Sequence, residues 1–97
     1  MTWIRTVPLA EAGEDLLRAM EKQRALYPPE YMVPVHAPPP GSPPEPAGIV
    51  AAHTLIPDAL FHAFATFGVL MAPDLPLSRR QHEMITTVVS SLNRCRY

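Results

Sequence analysis

Cys95 is the single cysteine of the 97-residue chain, and it sits between Arg94 and Arg96. A thiol reacts as its thiolate, and neighbouring positive charge favours that form. Four of the eight basic residues (Arg79, Arg80, Arg94 and Arg96) fall in the last twenty positions, against one acid, Glu83. Two readings of this cluster stand: a solvated helix face, or a positive environment around Cys95. His82 and Glu83 open the stretch HEMIT, which begins like the zinc-protease pattern H-E-x-x-H. Thr86 stands where the second histidine belongs, so the pattern fails. His53 and His62 are nine apart, with no cysteine or acid completing a ligand set, so no metal site is expected there.

These residues must be placed by helices. Residues 9–27 carry Leu9, Leu16, Leu17, Met20 and Tyr27 near one face, which predicts a first amphipathic helix. Glu14 precedes Arg18 by four residues and Glu21 precedes Arg24 by three, spacings that favour a helix. Pro28 and Pro29 end it. Residues 28–46 hold nine of the thirteen prolines, too many for a helix or a central strand. This segment is expected to be an extended, partly polyproline II surface loop. Its PPPGSPP run is either a plain linker or a ligand for an aromatic-lined groove, and His36 within it is expected to be exposed.

A helical pair follows. A short piece over 49–55 leads to Pro57, which suits a first helical position. Beyond it Leu60, Phe61, Phe64, Phe67 and Met71 predict a buried helix face, with Gly68 allowing a close helix contact. Ser78 and Gln81 have capping-box spacing and predict a last helix over 79–92. Its apolar face (Met84, Ile85, Val88, Val89, Leu92) belongs in a core. The β-branched run ITTVV lowers intrinsic propensity, so packing must hold this helix. The fold class read from these periods is all-α, a single domain.

Composition limits the function classes. The chain is 47% hydrophobic and 18% charged with a net charge of −1, a balance that points neither to nucleic acid nor to an acidic substrate. A lone cysteine cannot build an internal disulfide framework, so a reducing, cytoplasmic setting is expected. The opening residues turn acidic before any apolar run develops, unlike a signal peptide. The apolar region 47–75 is interrupted by His53, Pro57, Asp58, His62 and Pro73, which argues against a membrane span.

Read whole, LSRRQHEMITTVVSSLNRCRY resembles the carboxymuconolactone decarboxylase and alkylhydroperoxidase D-like family, in its peroxidase-related branch. That family's signature is a glutamate twelve residues before a C-x-x-C-x-x-x-H motif, and Glu83 precedes Cys95 by twelve. IVAAHTLIPDALFHAFATFGVLM is similar to the helix pair ahead of that motif, and the first helix matches more loosely. The resemblance implies an all-α alkylhydroperoxidase D-like domain with the cysteines at the start of a further helix. It implies Cys95 as the resolving thiol and Glu83 as a proton-relay carboxylate, with no metal and no organic cofactor. The second, peroxidatic cysteine would attack the peroxide and become a sulfenic acid, which the first resolves to a disulfide.

The second cysteine of the motif would occupy position 98 and the histidine lies further on, so the resemblance covers an N-terminal part of the domain. The 97-residue chain is therefore expected to be inactive as a peroxidase. A fragment, a short non-catalytic protein, and a chain interrupted at a selenocysteine codon are the alternatives. A complete form would reduce hydrogen peroxide or organic hydroperoxides, drawing electrons from a lipoyl or thioredoxin-like dithiol donor. The decarboxylase branch needs no cysteine pair and is the less favoured. The contrasting expectation is a helical interaction or assembly module. The resemblance also implies a homo-oligomer, and a truncated member would expose apolar surface that its missing C-terminal helices should cover, which favours self-association.

Overall fold

The computed structural model describes residues 3–33, 39–42, 46 and 48–95. His36 and Arg96 lie outside the described residues, as do Pro38, Pro43 and Pro44 of the PPPGSPP run. Every regular element among the described residues is helical: α1 (Glu14–Arg24), α2 (Gly48–Ala51), α3 (Pro57–Leu70) and α4 (Arg79–Leu92). Two 3-10 turns, Leu9–Glu11 and Pro29–Met32, flank α1. No helix among the described residues is long and apolar enough to cross a membrane.

The first helix is shorter than its apolar period. Residues 9–11 form a separate 3-10 turn, and Ala12 and Gly13 are extended before α1 begins. Gly13 supplies no side-chain cap, so α1 starts on the charges of Glu14 and Asp15 and ends on Lys22 and Arg24. Each pair complements the helix dipole at its own end. Leu9 and Tyr27, assigned by periodicity to the helix, flank it instead and remain half-buried.

α1 packs against α3, and this contact holds the core. Leu16 and Ala19 from α1 meet Leu60 from α3, with Val7, Ala12, Met20, Val50, Phe61 and Phe64 around them. α3 begins at Pro57, where a proline costs nothing because the first N–H of a helix has no intrahelical partner. The one-turn α2 leads into Thr54, whose Oγ1 accepts from Val7 N at 2.8 Å and donates to Ala51 O at 2.7 Å. That nearly fully buried hydroxyl ties the N-terminal segment to the α2–α3 corner.

The stripe expected to be buried on α3 divides. Leu60 and Met71 are buried, Phe61 and Phe64 are half-buried, and Phe67 is open to solvent at one edge. Gly68 makes the close contact anticipated for it, lying against Leu26 just past the end of α1.

α4 carries the largest difference from expectation. Its capping box forms, with Gln81 N donating to Ser78 Oγ at 3.3 Å and Ser78 N donating to Gln81 Oε1 at 2.8 Å. Its apolar stripe, expected in a core, lies outside: Met84, Ile85, Val88, Val89 and Leu92 are all at least half exposed. The sole buried residue of α4 is His82. The reason is that α4 is fastened by its polar side. The proline segment also differs from expectation, since its opening residues 29–32 coil into a 3-10 turn.

Candidate functional site

Arg79, the first residue of α4, organises the polar contacts at that end of the helix. Its Nη2 pairs with Glu30 Oε1 at 2.8 Å and donates to the Met71 carbonyl at 3.3 Å. Its Nη1 donates to Tyr31 Oη at 2.7 Å, and its Cζ lies 4.8 Å from the centre of the Tyr31 ring. A guanidinium can satisfy these partners together because its donors form a rigid planar fork.

Tyr31 passes the connection on. Its hydroxyl donates to Glu83 Oε1 at 2.5 Å. The three groups therefore form one directed chain from Arg79 through Tyr31 to the Glu83 carboxylate. Such a chain orients the carboxylate. The Tyr31 ring is supported from α3, with its centre 6.1 Å from that of Phe67, while Tyr27 meets the same Phe67 edge-on at 5.3 Å. The α1–α3 core thus reaches Glu83 through one aromatic relay.

Burial raises the Tyr31 phenol above the ordinary tyrosine value, and its hydrogen bond to the Glu83 carboxylate adds to the rise, partly opposed by Arg79. Tyr27 is also raised, by burial. Below a pH of about 10 both phenols are protonated in the folded and unfolded chains and contribute no slope. Above it the unfolded chain loses these protons first, so stability falls as pH rises toward the folded-state values. Urea titrations at a series of alkaline pH values should show this loss, and Tyr31→Phe should reduce it.

Cys95 stands at the opposite end of the same helix. α4 closes in a Schellman turn, with Arg94 N donating to Ser91 O at 3.1 Å and Cys95 N donating to Ser90 O at 2.9 Å. The turn requires a left-handed residue, and Arg94 adopts it with φ at 53°. A non-glycine residue there costs about 1 kcal/mol. Cys95 is an exposed free thiol, set beside the carbonyl end of α4 rather than at a helix N-terminus. The nine residues of helical rise from Glu83 to Leu92 already span roughly 14 Å, and Cys95 lies beyond them. The structure therefore does not bring the two candidate residues together.

Tyr31 and Arg79 are the participants that the sequence did not single out. Tyr31 was submerged in a proline-rich stretch read as loop, and Arg79 was counted only as one of four clustered cations. The available signal was local: PPEYM places a proline at the start of a short turn, with an acid and an aromatic directly behind it. No group of histidines, cysteines and acids among the described residues is arranged to hold a metal. His53 is engaged locally, its Nδ1 lying 2.8 Å from the Ile49 carbonyl and its ring edge-on to Phe64.

Set against known proteins, the chain matches no family, no characterised protein and no solved structure.

Proposed function

We propose that this chain carries the proton-relay carboxylate and the resolving thiol of a thiol- or selenol-dependent hydroperoxide reductase of the alkylhydroperoxidase D type. The observation that supports it is the anchoring of Glu83 by Tyr31 and Arg79. An exposed glutamate on a helix is ordinarily free to rotate, whereas this one is aimed by a donor that is itself held by a cation. Its spacing of twelve from an exposed thiol is the second support.

The chemistry assigns each group a step. A thiolate or selenolate attacks the terminal peroxide oxygen, the O–O bond breaks, and the departing alkoxide takes a proton that Glu83 helps to deliver. The Cys95 thiol then attacks the resulting sulfenic or selenenic acid, forming the S–S or Se–S bond, and the departing hydroxide takes up the thiol's proton to leave as water. A dithiol donor returns both groups to the reduced state. The peroxide-attacking group is not Cys95 and comes from outside these 97 residues. Glu83 and Cys95 also act in separate steps, which does not require direct contact between them.

The test compares hydroperoxide consumption by the 97-residue chain and by a chain extended through a complete C-x-x-C-x-x-x-H motif. Activity is expected only in the extended form, and Glu83→Gln should lower it by about 100-fold, the scale of a lost proton-transfer group. An inactive extended form, or one indifferent to Glu83→Gln, rejects the reading.

A second reading, a helical assembly module, is favoured by the outward apolar stripe of α4. It concerns the opposite side of that helix and leaves the polar relay untouched.

A further inference from the structure

His82 is the buried residue of α4, and the relay of Arg79, Tyr31 and Glu83 does not use it. It is 8% exposed, and no donor or acceptor among the described residues meets either of its ring nitrogens. A buried polar group ordinarily has a partner, because leaving one unpaired is costly. The imidazole is not sealed against carbon either. Gln23 Oε1 is the fully enclosed side-chain polar atom without a partner among the described residues, so the nitrogens of His82 meet open space. His82 lines a cavity of ≈ 120 Å³ at the corner between α3 and α4.

Arg79 forms the second polar wall of this cavity. It already holds one carboxylate there, with Nη2 2.8 Å from Glu30 Oε1. A guanidinium carries five N–H donors. Glu30, the Met71 carbonyl and Tyr31 take three of them, which leaves one on Nη1 and one on Nε without a partner among the described residues. Neutral imidazole supplies a further N–H in either tautomer. Met71, Pro73 and Leu77 make the remaining walls apolar. Converging donors beside a short apolar wall fit a charged head with a small hydrocarbon tail, whereas the guanidinium repels a cation. One water occupies roughly 30 Å³ in the liquid, so the cavity takes about four or five heavy atoms and excludes aromatic and long-chain acids. The end of α4 is already closed by the Ser78–Gln81 capping box, so side chains and not the helix end make this site.

We propose that His82 and Arg79 bind a small monocarboxylate of two or three carbons in this cavity, with Glu30 occupying Arg79 when the ligand is absent. The Glu30 side chain is 57% exposed, so it leaves Arg79 without unpacking anything. The site is independent of the hydroperoxide chemistry above, and none of its donors is Glu83 or Cys95.

Acetate titrated into the 97-residue chain tests the inference, at fixed pH and with chloride balancing the ionic strength. The histidine ring signal that His82→Gln removes should shift saturably in NMR spectra, with a midpoint at about 1 mM, a modest affinity suited to so few atoms. Acetamide, the uncharged molecule of the same shape, should leave that signal unmoved. Saturation transfer from protein to acetate gives the affinity in variants. His82→Gln should weaken binding at least tenfold, and Glu30→Gln should tighten it at least threefold by removing the competing charge. Glu30→Gln, at an exposed position, keeps the test decisive if His82→Gln does not fold. A shift that grows linearly with acetate overturns the proposal, as does equal binding of acetamide. Affinity that either folded variant leaves unchanged overturns it too.

Discussion

Leu60→Ala is expected to remove a large share of the chain's folding stability. Among the described residues Leu60 is the large side chain with no exposure at all, and it is the point where α1 and α3 meet. Truncating a buried leucine costs about 2–5 kcal/mol through lost transfer energy and the cavity left behind. A chain near this length has a total stability of about 5–15 kcal/mol, and the buried core residues among those described are Leu16, Ala19, Leu60 and Met71. No neighbouring cluster can take over. Urea denaturation followed by circular dichroism should show the midpoint collapse. A loss below about 1 kcal/mol would mean that the α1–α3 contact does not hold this fold.

The second large effect is expected from Gly68→Ala, and it should reach the candidate site. In a solvated helix this change stabilises by about 1 kcal/mol. Here a Cβ on residue 68 would stand 2.8 Å from Leu26 Cβ, 3.2 Å from its carbonyl oxygen and 3.3 Å from its carbonyl carbon. These atoms belong to the backbone and its first branch, so no side-chain rotation relieves the clash. The segment after α1 must shift. Steric overpacking of this kind costs about 1–3 kcal/mol, which outweighs the gain in propensity. The displaced segment leads directly to Tyr27 and Tyr31, both packed on Phe67, the neighbour of Gly68. Stability should therefore fall, and alkaline titration of tyrosine absorbance should show the Tyr31 phenol ionising closer to the ordinary tyrosine range. A variant more stable than wild type would show that Leu26 gives way freely.

Helix existence was legible along the chain because each signal is short-range. The double proline after Tyr27, Pro57 at a helix start and the Ser78–Gln81 capping box each act over three or four residues. α3 and α4 accordingly begin where those residues place them. The first helix was overread, because the apolar positions Leu9 and Tyr27 keep helical phase without keeping helical conformation. Ala12 and Gly13 release the chain into extended backbone, and phase alone carries no record of such a break.

The candidate site was legible only in part. Glu83 and Cys95 could be named from their spacing, and the capping box fixed the helix between them. Their separation to opposite ends of α4 followed from that helix, but the Schellman turn that stands Cys95 off its end depends on Arg94 adopting a left-handed conformation, which sequence disfavours. Tyr31 was invisible as a partner of Glu83 because the two are 52 positions apart and joined through a segment read as loop.

By itself, then, the sequence determined the helical class, the starts of α3 and α4, and which residues are apolar. Tertiary structure decided which way α4 turns. An amphipathic period says that one face is greasy, not that the chain owns a surface to cover it. The fold attaches α4 through Arg79, Tyr31 and Glu83, where directed hydrogen bonds and an ion pair fix a rotation about the helix axis. The core among the described residues, built on Leu16, Ala19 and Leu60, is formed between α1 and α3 without α4. That rotation aims Glu83 at Tyr31 and turns Val88 outward, and both consequences depend on contacts between residues about fifty positions apart.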